Sequence, residues 1–219
     1  MTMNRKRTAI FISGRGSNMD ALITAAQSPD YPAEIVLVVS NTPDAEGLVK
    51  AANAGIKSAA IDHKGFEGRA EFEAAVQAAL DAESVELICL AGFMRLLTDG
   101  FVGAWHNRMI NIHPSLLPAY KGLDTHRRVI RDGGRITGCT VHYVRPQMDQ
   151  GPIIAQAAVP VHANDTDDIL AKRVLAAEHT IYPMALKMVA NETVRVAGEK
   201  VRFEGEDVDQ APLLSPAPE

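Results

Sequence analysis

Cysteine is scarce: the chain has two, Cys89 and Cys139. Two thiols cannot build a disulfide framework or a cysteine-rich zinc site. Each sits in an apolar run, so both read as buried thiols in a reducing compartment. Positive charge is not in excess either. Against 27 Asp and Glu stand 22 Lys and Arg, a net of −5 with His neutral. That argues against a dedicated nucleic-acid binder, which needs a basic face. Long apolar runs are missing as well. The run 8–12 behind Arg5-Lys6-Arg7 stops at Ser13-Gly14, short of the roughly 7–15 apolar residues of a signal-peptide core. No stretch approaches the roughly 20 needed to span a bilayer. The expectation is a soluble cytoplasmic protein with no nucleic-acid and no membrane partner. The seven histidines show no zincin spacing, so no metal is expected.

What is present is 219 residues, 47% of them apolar, enough for one sizeable core. Short β-branched runs at 8–13, 34–40, 56–61, 86–91 and 108–112 alternate with helical patterns. Met19, Leu22, Ile23 and Ala26 mark one helix face, and a second helix covers 44–53 with Gly55 to end it. Phe72, Val76, Ala79 and Leu80 mark a third over 69–82, and a short one lies near 101–105. Apolar strands alternating with helices predict an α/β fold: a Rossmann-like, doubly wound, mostly parallel sheet with helices on both faces. The second half adds strands at 137–144 and 152–161, then a long helix from Thr166 to about 190 with a kink at Pro183. A hairpin over 193–203 ends the pattern. The reading is one domain, 1–203, with a phosphate-binding half of about 8–105 and a catalytic half of about 106–203. The acidic, Pro-rich 204–219 reads as a disordered tail.

In such sheets ligands gather at the carboxyl ends of the strands. After the first strand comes Ser13-Gly14-Arg15-Gly16-Ser17-Asn18. Its glycines let amide groups approach an anion, Ser17 and Asn18 can cap the next helix, and a phosphate suits that terminus. A tight turn without a ligand is the alternative. The dinucleotide fingerprint fails: Met19 replaces its third Gly, and Ser40-Asn41 stands where its acid belongs, so no nicotinamide cofactor is expected. Asn111-Ile112-His113-Pro114 puts a carboxamide and an imidazole on the same side of a strand end. Such a pair can stabilise an oxyanion and move a proton. Asp149 matters if its loop returns to His113, where it would hold the ring and raise its pKa. Gly92-Phe93-Met94-Arg95-Leu96-Leu97 is unusually apolar for a loop and suits a flat ring system. Arg69 could anchor a carboxylate, and Glu178 lies in mid-helix.

Together these segments resemble the 10-formyltetrahydrofolate-dependent formyltransferases. The resemblance rests on Asn111-Ile112-His113-Pro114-Ser115-Leu116-Leu117-Pro118 and on the Gly-Ser-Asn loop. It extends through Lys121-Gly122-Leu123, Thr140-Val141-His142-Tyr143-Val144, Met148-Asp149-Gln150-Gly151-Pro152 and Glu178-His179-Thr180-Ile181-Tyr182-Pro183. The glycine loop and the last segment point to the branch acting on glycinamide ribonucleotide in purine synthesis. The resemblance implies formyl transfer from 10-formyltetrahydrofolate, a co-substrate, to the amine of 5-phosphoribosylglycinamide. It implies a catalytic Asn111, His113 and Asp149, with Gly16, Ser17 and Asn18 for the phosphate. It implies Glu178 for the amine, and Arg69, Met94, Arg95, Leu96, Leu97 and Asn111 for the folate. Contacts from 145–148 stay open, as do monomer and homodimer. The alternatives are another folate-dependent formyltransferase, a formyltetrahydrofolate hydrolase, or a non-catalytic nucleotide-phosphate binder.

Overall fold

In the computed structural model, residues 5–204, Leu213 and Ser215 are described. A seven-stranded sheet carries β1 (Lys6–Ile12), β2 (Ala33–Ser40), β3 (Lys57–Ala60), β4 (Leu87–Leu90), β5 (Met109–His113), β6 (Ile136–Tyr143) and β7 (Ile153–Pro160). Their spatial order is β3-β2-β1-β4-β5-β6-β7. The first five run parallel; β6 joins β5 and β7 joins β6 antiparallel. The helices are α1 (Ser17–Ala26), α2 (Glu46–Asn53), α3 (Arg69–Ala82), α4 (Asp99–Ala104), α5 (Thr125–Arg131) and α6 (Asp167–Ala190). A separate hairpin, β8 (Val194–Ala197) and β9 (Lys200–Phe203), follows α6.

The alternation of strand side chains sorts the core into two layers. From β1, Ile10 and Ile12 join Met19 and Leu22 of α1 and Leu170, Val174 and Leu186 of α6 in one buried cluster. Ala9 and Phe11 point the other way, to Phe72, Val76 and Leu80 of α3 and to Phe101 and Trp105. The first cluster draws on both halves of the chain, so the late helix α6 completes the early sheet.

α6 is also the element that ties packing to the site. It starts where the Thr166 hydroxyl accepts from the Ile169 amide and where Arg173 grips Asp165 with two bonds, at 2.6 and 2.8 Å. That pair holds the Asp165 carboxyl down to about 2. The helix carries through Pro183, whose carbonyl accepts from the Tyr31 hydroxyl at 2.6 Å. One residue before it, the fully buried Tyr182 places its hydroxyl against the carbonyls of Leu90 at 3.0 Å and Ile110 at 3.2 Å.

Two differences from the sequence-based expectations have local causes. The segment between β5 and β6 contains α5, which periodicity does not mark. Only Thr125 and Val129 of its seven residues are buried, so it has no apolar stripe. The hairpin extends one residue into the expected tail: the Glu204 amide donates to Thr193 and its carboxylate pairs with Arg195 at 2.9 Å. Of the rest of the tail, 205–212, 214 and 216–219 lie outside the described residues.

Tyr182→Phe removes the polar tie from α6 to the Leu90 and Ile110 carbonyls of β4 and β5. The expected loss is about 1–3 kcal/mol, the usual cost of stranding a buried acceptor. Urea unfolding measures it, and an unchanged midpoint would show that the hydroxyl contributes nothing.

Candidate active site

The parallel strands end on one edge of the sheet, and the loops there build the site. β1 leads into the glycine loop. Gly16 takes a left-handed φ of 71° as the N-cap of α1, and a Cβ there would stand 3.1 Å from the Gly47 Cα. Only glycine combines that φ with so close a backbone approach. Ser17 and Asn18 fall inside the first turn of α1 rather than capping it, and no side chain among the described residues caps that end. Its leading amides therefore remain available to an anion.

Asn18 does different work. Its Nδ2 donates to Glu178 Oε2 at 2.7 Å, across from α6. Both side chains are buried, and Asn18 Oδ1 is buried without a partner. Burial raises the Glu178 carboxyl above its ordinary 4.5, partly offset by the bond from Asn18. Glu178 thus carries a desolvated acceptor to the floor beside the glycine loop.

At the end of β5, Asn111 and His113 share a side, as their spacing demands. The antiparallel register puts His142 of β6 opposite Asn111. His142 Nδ1 lies 2.9 Å from the Tyr143 carbonyl, which can only accept, so Nδ1 carries the proton. Its Nε2 then accepts from Asn111 Nδ2 at 3.2 Å. Burial lowers the pKa of His142, so the ring stays neutral and orients the Asn111 amide. Its 3.9 Å approach to Asp149 is accordingly no ion pair.

Asp149 returns to this edge on the loop between β6 and β7. The loop is pinched at its neck, where the Tyr143 amide donates to Pro152 at 2.9 Å. A Cβ on Gly151 would lie 1.7 Å from the Tyr143 carbonyl oxygen, so the neck requires glycine. Arg145 bonds Glu199 of the β8–β9 turn at 3.0 Å and Asn107 at 2.8 Å, away from the edge. Asp149 itself adopts φ 55°. Its Oδ2 lies 3.5 Å from His113 Nδ1 and accepts from the Gly122 amide at 2.8 Å. His113 Nε2 donates to the Tyr120 carbonyl at 3.0 Å. The other nitrogen, Nδ1, is thereby left facing Asp149 and the site.

Arg69 opens α3 and lines a cavity of about 170 Å³ together with Arg95, His63, Phe66 and Phe72. Met94 and Leu96 are 68% and 65% exposed beside it, while Leu97 packs under the sheet against the second core. Ser13 Oγ accepts from the Met94 amide at 2.7 Å and donates to Asn41 Oδ1 at 2.5 Å, tying this segment to the glycine loop. Burial pushes Cys89 and Cys139 up to about 12, so neither is a thiolate at neutral pH.

The structure brings Asn111, His113 and Asp149 together, and separately Asn18 with Glu178 and Arg69 with Arg95. Sequence reasoning assigned no role to His142, Tyr120 or Gly122. His142 faces Asn111 only through the antiparallel register of β6 on β5, which the sequence does not fix. The contacts of Tyr120 and Gly122 are made by backbone atoms and leave no residue-type signal. Among the described residues no helix is long and apolar enough to cross a membrane. None of their His, Cys, Asp and Glu side chains gather into a group of three that could hold a metal ion.

Comparison with known proteins places these features in a family. Residues 6–186 match the family described as formyl transferase. A trifunctional purine biosynthetic protein adenosine-3 of Gallus gallus is 51% identical over 88% of this chain, which spans only 19% of that protein's length. The phosphoribosylglycinamide formyltransferase of Bacillus subtilis is 40% identical, over 89% of this chain and 99% of its own. The crystal structure of glycinamide ribonucleotide transformylase 1 from Symbiobacterium toebii superposes with a TM-score of 0.89 at 41% identity, covering 91% of this chain and 94% of that one. The chain belongs to the formyl transferase family.

Proposed function

We propose that the chain transfers a formyl group from 10-formyltetrahydrofolate to the amine of 5-phosphoribosylglycinamide, a step of purine biosynthesis. The observation that carries this reading is the meeting of Asn111, His113 and Asp149 at the carboxyl edge, within a chain of this family. The partners are then two small molecules, handled by residues 1–203 in the cytoplasm, with no metal and no nicotinamide. The phosphate lies on the amides of Gly16, Ser17 and Asn18, and the amine is received by Glu178. The folate runs past Asn111 and the segment 94–97, with its carboxylates toward Arg69 and Arg95.

The chemistry follows from which atoms are free. The neutral amine attacks the formyl carbon, and the carbonyl oxygen becomes negative. Asn111 Nδ2 gives one hydrogen to His142 and keeps the second for that oxygen. His113 supplies a charge-assisted bond from Nδ1 when that nitrogen is protonated, with Asp149 compensating the charge. The attacking nitrogen loses a proton, which His113 Nδ1 is placed to relay to the folate nitrogen; the carbonyl then re-forms as the bond from the formyl carbon to that nitrogen breaks, releasing tetrahydrofolate. No covalent enzyme intermediate is required.

The direct test is turnover of purified protein with both substrates in the presence of a chelator and without ATP. Formyl release to water that ignores the amine substrate would move the reading to a hydrolase, and substrate binding without turnover would make the chain a binding protein. Within that assay His113→Ala should lower kcat by about 10²–10⁴-fold. The double variant with Asp149→Asn should be little worse than His113→Ala alone, because the two act as a unit. Multiplying losses would mean that Asp149 works independently of the ring.

Glu178→Gln separates function from stability. Losing the charged acceptor should lower kcat/KM for the ribonucleotide about 10- to 100-fold. Stability should move the other way. A carboxyl whose folded pKa is raised contributes stability below its ordinary 4.5, and this is lost as pH rises through the raised value. The substitution should therefore stabilise the protein relative to wild type at pH 7, with the advantage shrinking toward pH 4. Melting curves at both pH values check it; a variant less stable at pH 7 would contradict the buried-charge account.

A further inference from the structure

The segment from the end of β5 to the start of α5 forms a strap over the site. Three of its last five residues, Tyr120, Gly122 and Asp124, have left-handed φ values of 52, 78 and 56°. Two of them carry side chains, for which that conformation is unfavourable. Local preference therefore does not shape this strap. Yet it makes two contacts on which the site depends: the Tyr120 carbonyl on His113 Nε2 and the Gly122 amide on Asp149 Oδ2.

Arg128, in the first turn of α5, grips this strap. Its Nη1 donates to the Lys121 carbonyl at 2.6 Å and to the Leu123 carbonyl at 3.3 Å, on either side of Gly122. Its guanidinium carbon stands 5.3 Å from the centre of the Tyr120 ring. Arg127 and Arg131 on the same helix pair instead with Asp167 and Asp132. The near end of the strap is anchored separately: Thr140 Oγ1 donates to the Ser115 carbonyl and accepts from the Leu117 amide. Arg128 thus secures the end that touches His113 and Asp149.

We propose that Arg128 is a positioning residue for the reaction. It holds Tyr120 and Gly122 so that His113 keeps its proton on Nε2, its Nδ1 faces the site, and Asp149 is fixed beside it. It touches neither substrate. A lysine cannot replace it, because one ammonium cannot hold two carbonyls and also stack its plane on Tyr120.

The kinetic part of the test rests on the formyl-transfer reading; the spectroscopic part does not. In long-range ¹H–¹⁵N spectra of imidazole-labelled protein, neutral His113 should be the Nε2–H tautomer in the wild type and a mixture in Arg128→Ala. In the formyl-transfer assay, Arg128→Ala should lower kcat about 10- to 100-fold, the scale of a misplaced catalytic group. The KM for the ribonucleotide should stay within about twofold. Arg128→Lys should recover little. Guanidinium at millimolar concentration, well below denaturing levels, should recover part of kcat in Arg128→Ala and none in Arg128→Lys. If Arg128→Ala does not fold, Arg128→Gln, which keeps a single amide group in place of the guanidinium, takes its place in each measurement. A wild-type tautomer in the variants, or kcat unchanged per folded molecule, would overturn the proposal. So would a loss shared equally by both KM values and the melting temperature. If the wild type itself transfers no formyl group, the functional reading fails, and the spectra alone decide the role of Arg128.

Discussion

The site depends on one register, the antiparallel pairing of β6 with β5. Through it Asn111 lies opposite His142, and β6 then runs toward the amino end of β5, with Tyr143 facing Ile110, so the turn into β7 folds back over the strand pair to reach His113. That turn carries Asp149. Its nine-residue return sets Asp149 Oδ2 3.5 Å from His113 Nδ1, beside Asn111 at the carboxyl edge.

Around that register, burial and hydrogen bonds divide the titratable groups into distinct states. His142 is desolvated and neutral, with its proton committed to Tyr143, and so serves as an acceptor that orients Asn111. His113 sits between a carbonyl and a carboxylate: the Tyr120 carbonyl commits a proton to Nε2, and Nδ1 is left facing Asp149. Glu178 is desolvated at the other end of the site, where an amine would meet a strong acceptor. The two imidazoles thus differ in their proton and partners through their surroundings rather than their type.

The C-terminal elements serve this arrangement from behind. α6 fills the face left open by the early strands and lays Glu178 against Asn18. Its Tyr182 hydroxyl meets the carbonyls of Leu90 in β4 and Ile110 in β5. The β8–β9 turn holds Arg145 at the root of the Asp149 loop. Segments more than fifty residues apart in sequence therefore share the stability of one edge.

By itself the sequence determined the alternation of strands and helices, the two-sided core and the pairing of Asn111 with His113, because these depend on periods of 2 and 3.6 that residue type reveals. It also marked the glycine loop, since a positive φ at Gly16 has few substitutes. Helix α5 was not legible, because a polar helix with two buried residues leaves no period to read. Only the tertiary structure decided that Asp149 meets His113, that His142 stands behind Asn111, and that Asn18 turns to Glu178 instead of capping its helix. Those contacts join chain segments whose separation the sequence states but whose return path it does not. Several are made by backbone groups, the carbonyl of Tyr120 and the amide of Gly122. Every residue but proline carries both such groups, so position in the fold, and not identity, sets what they contact.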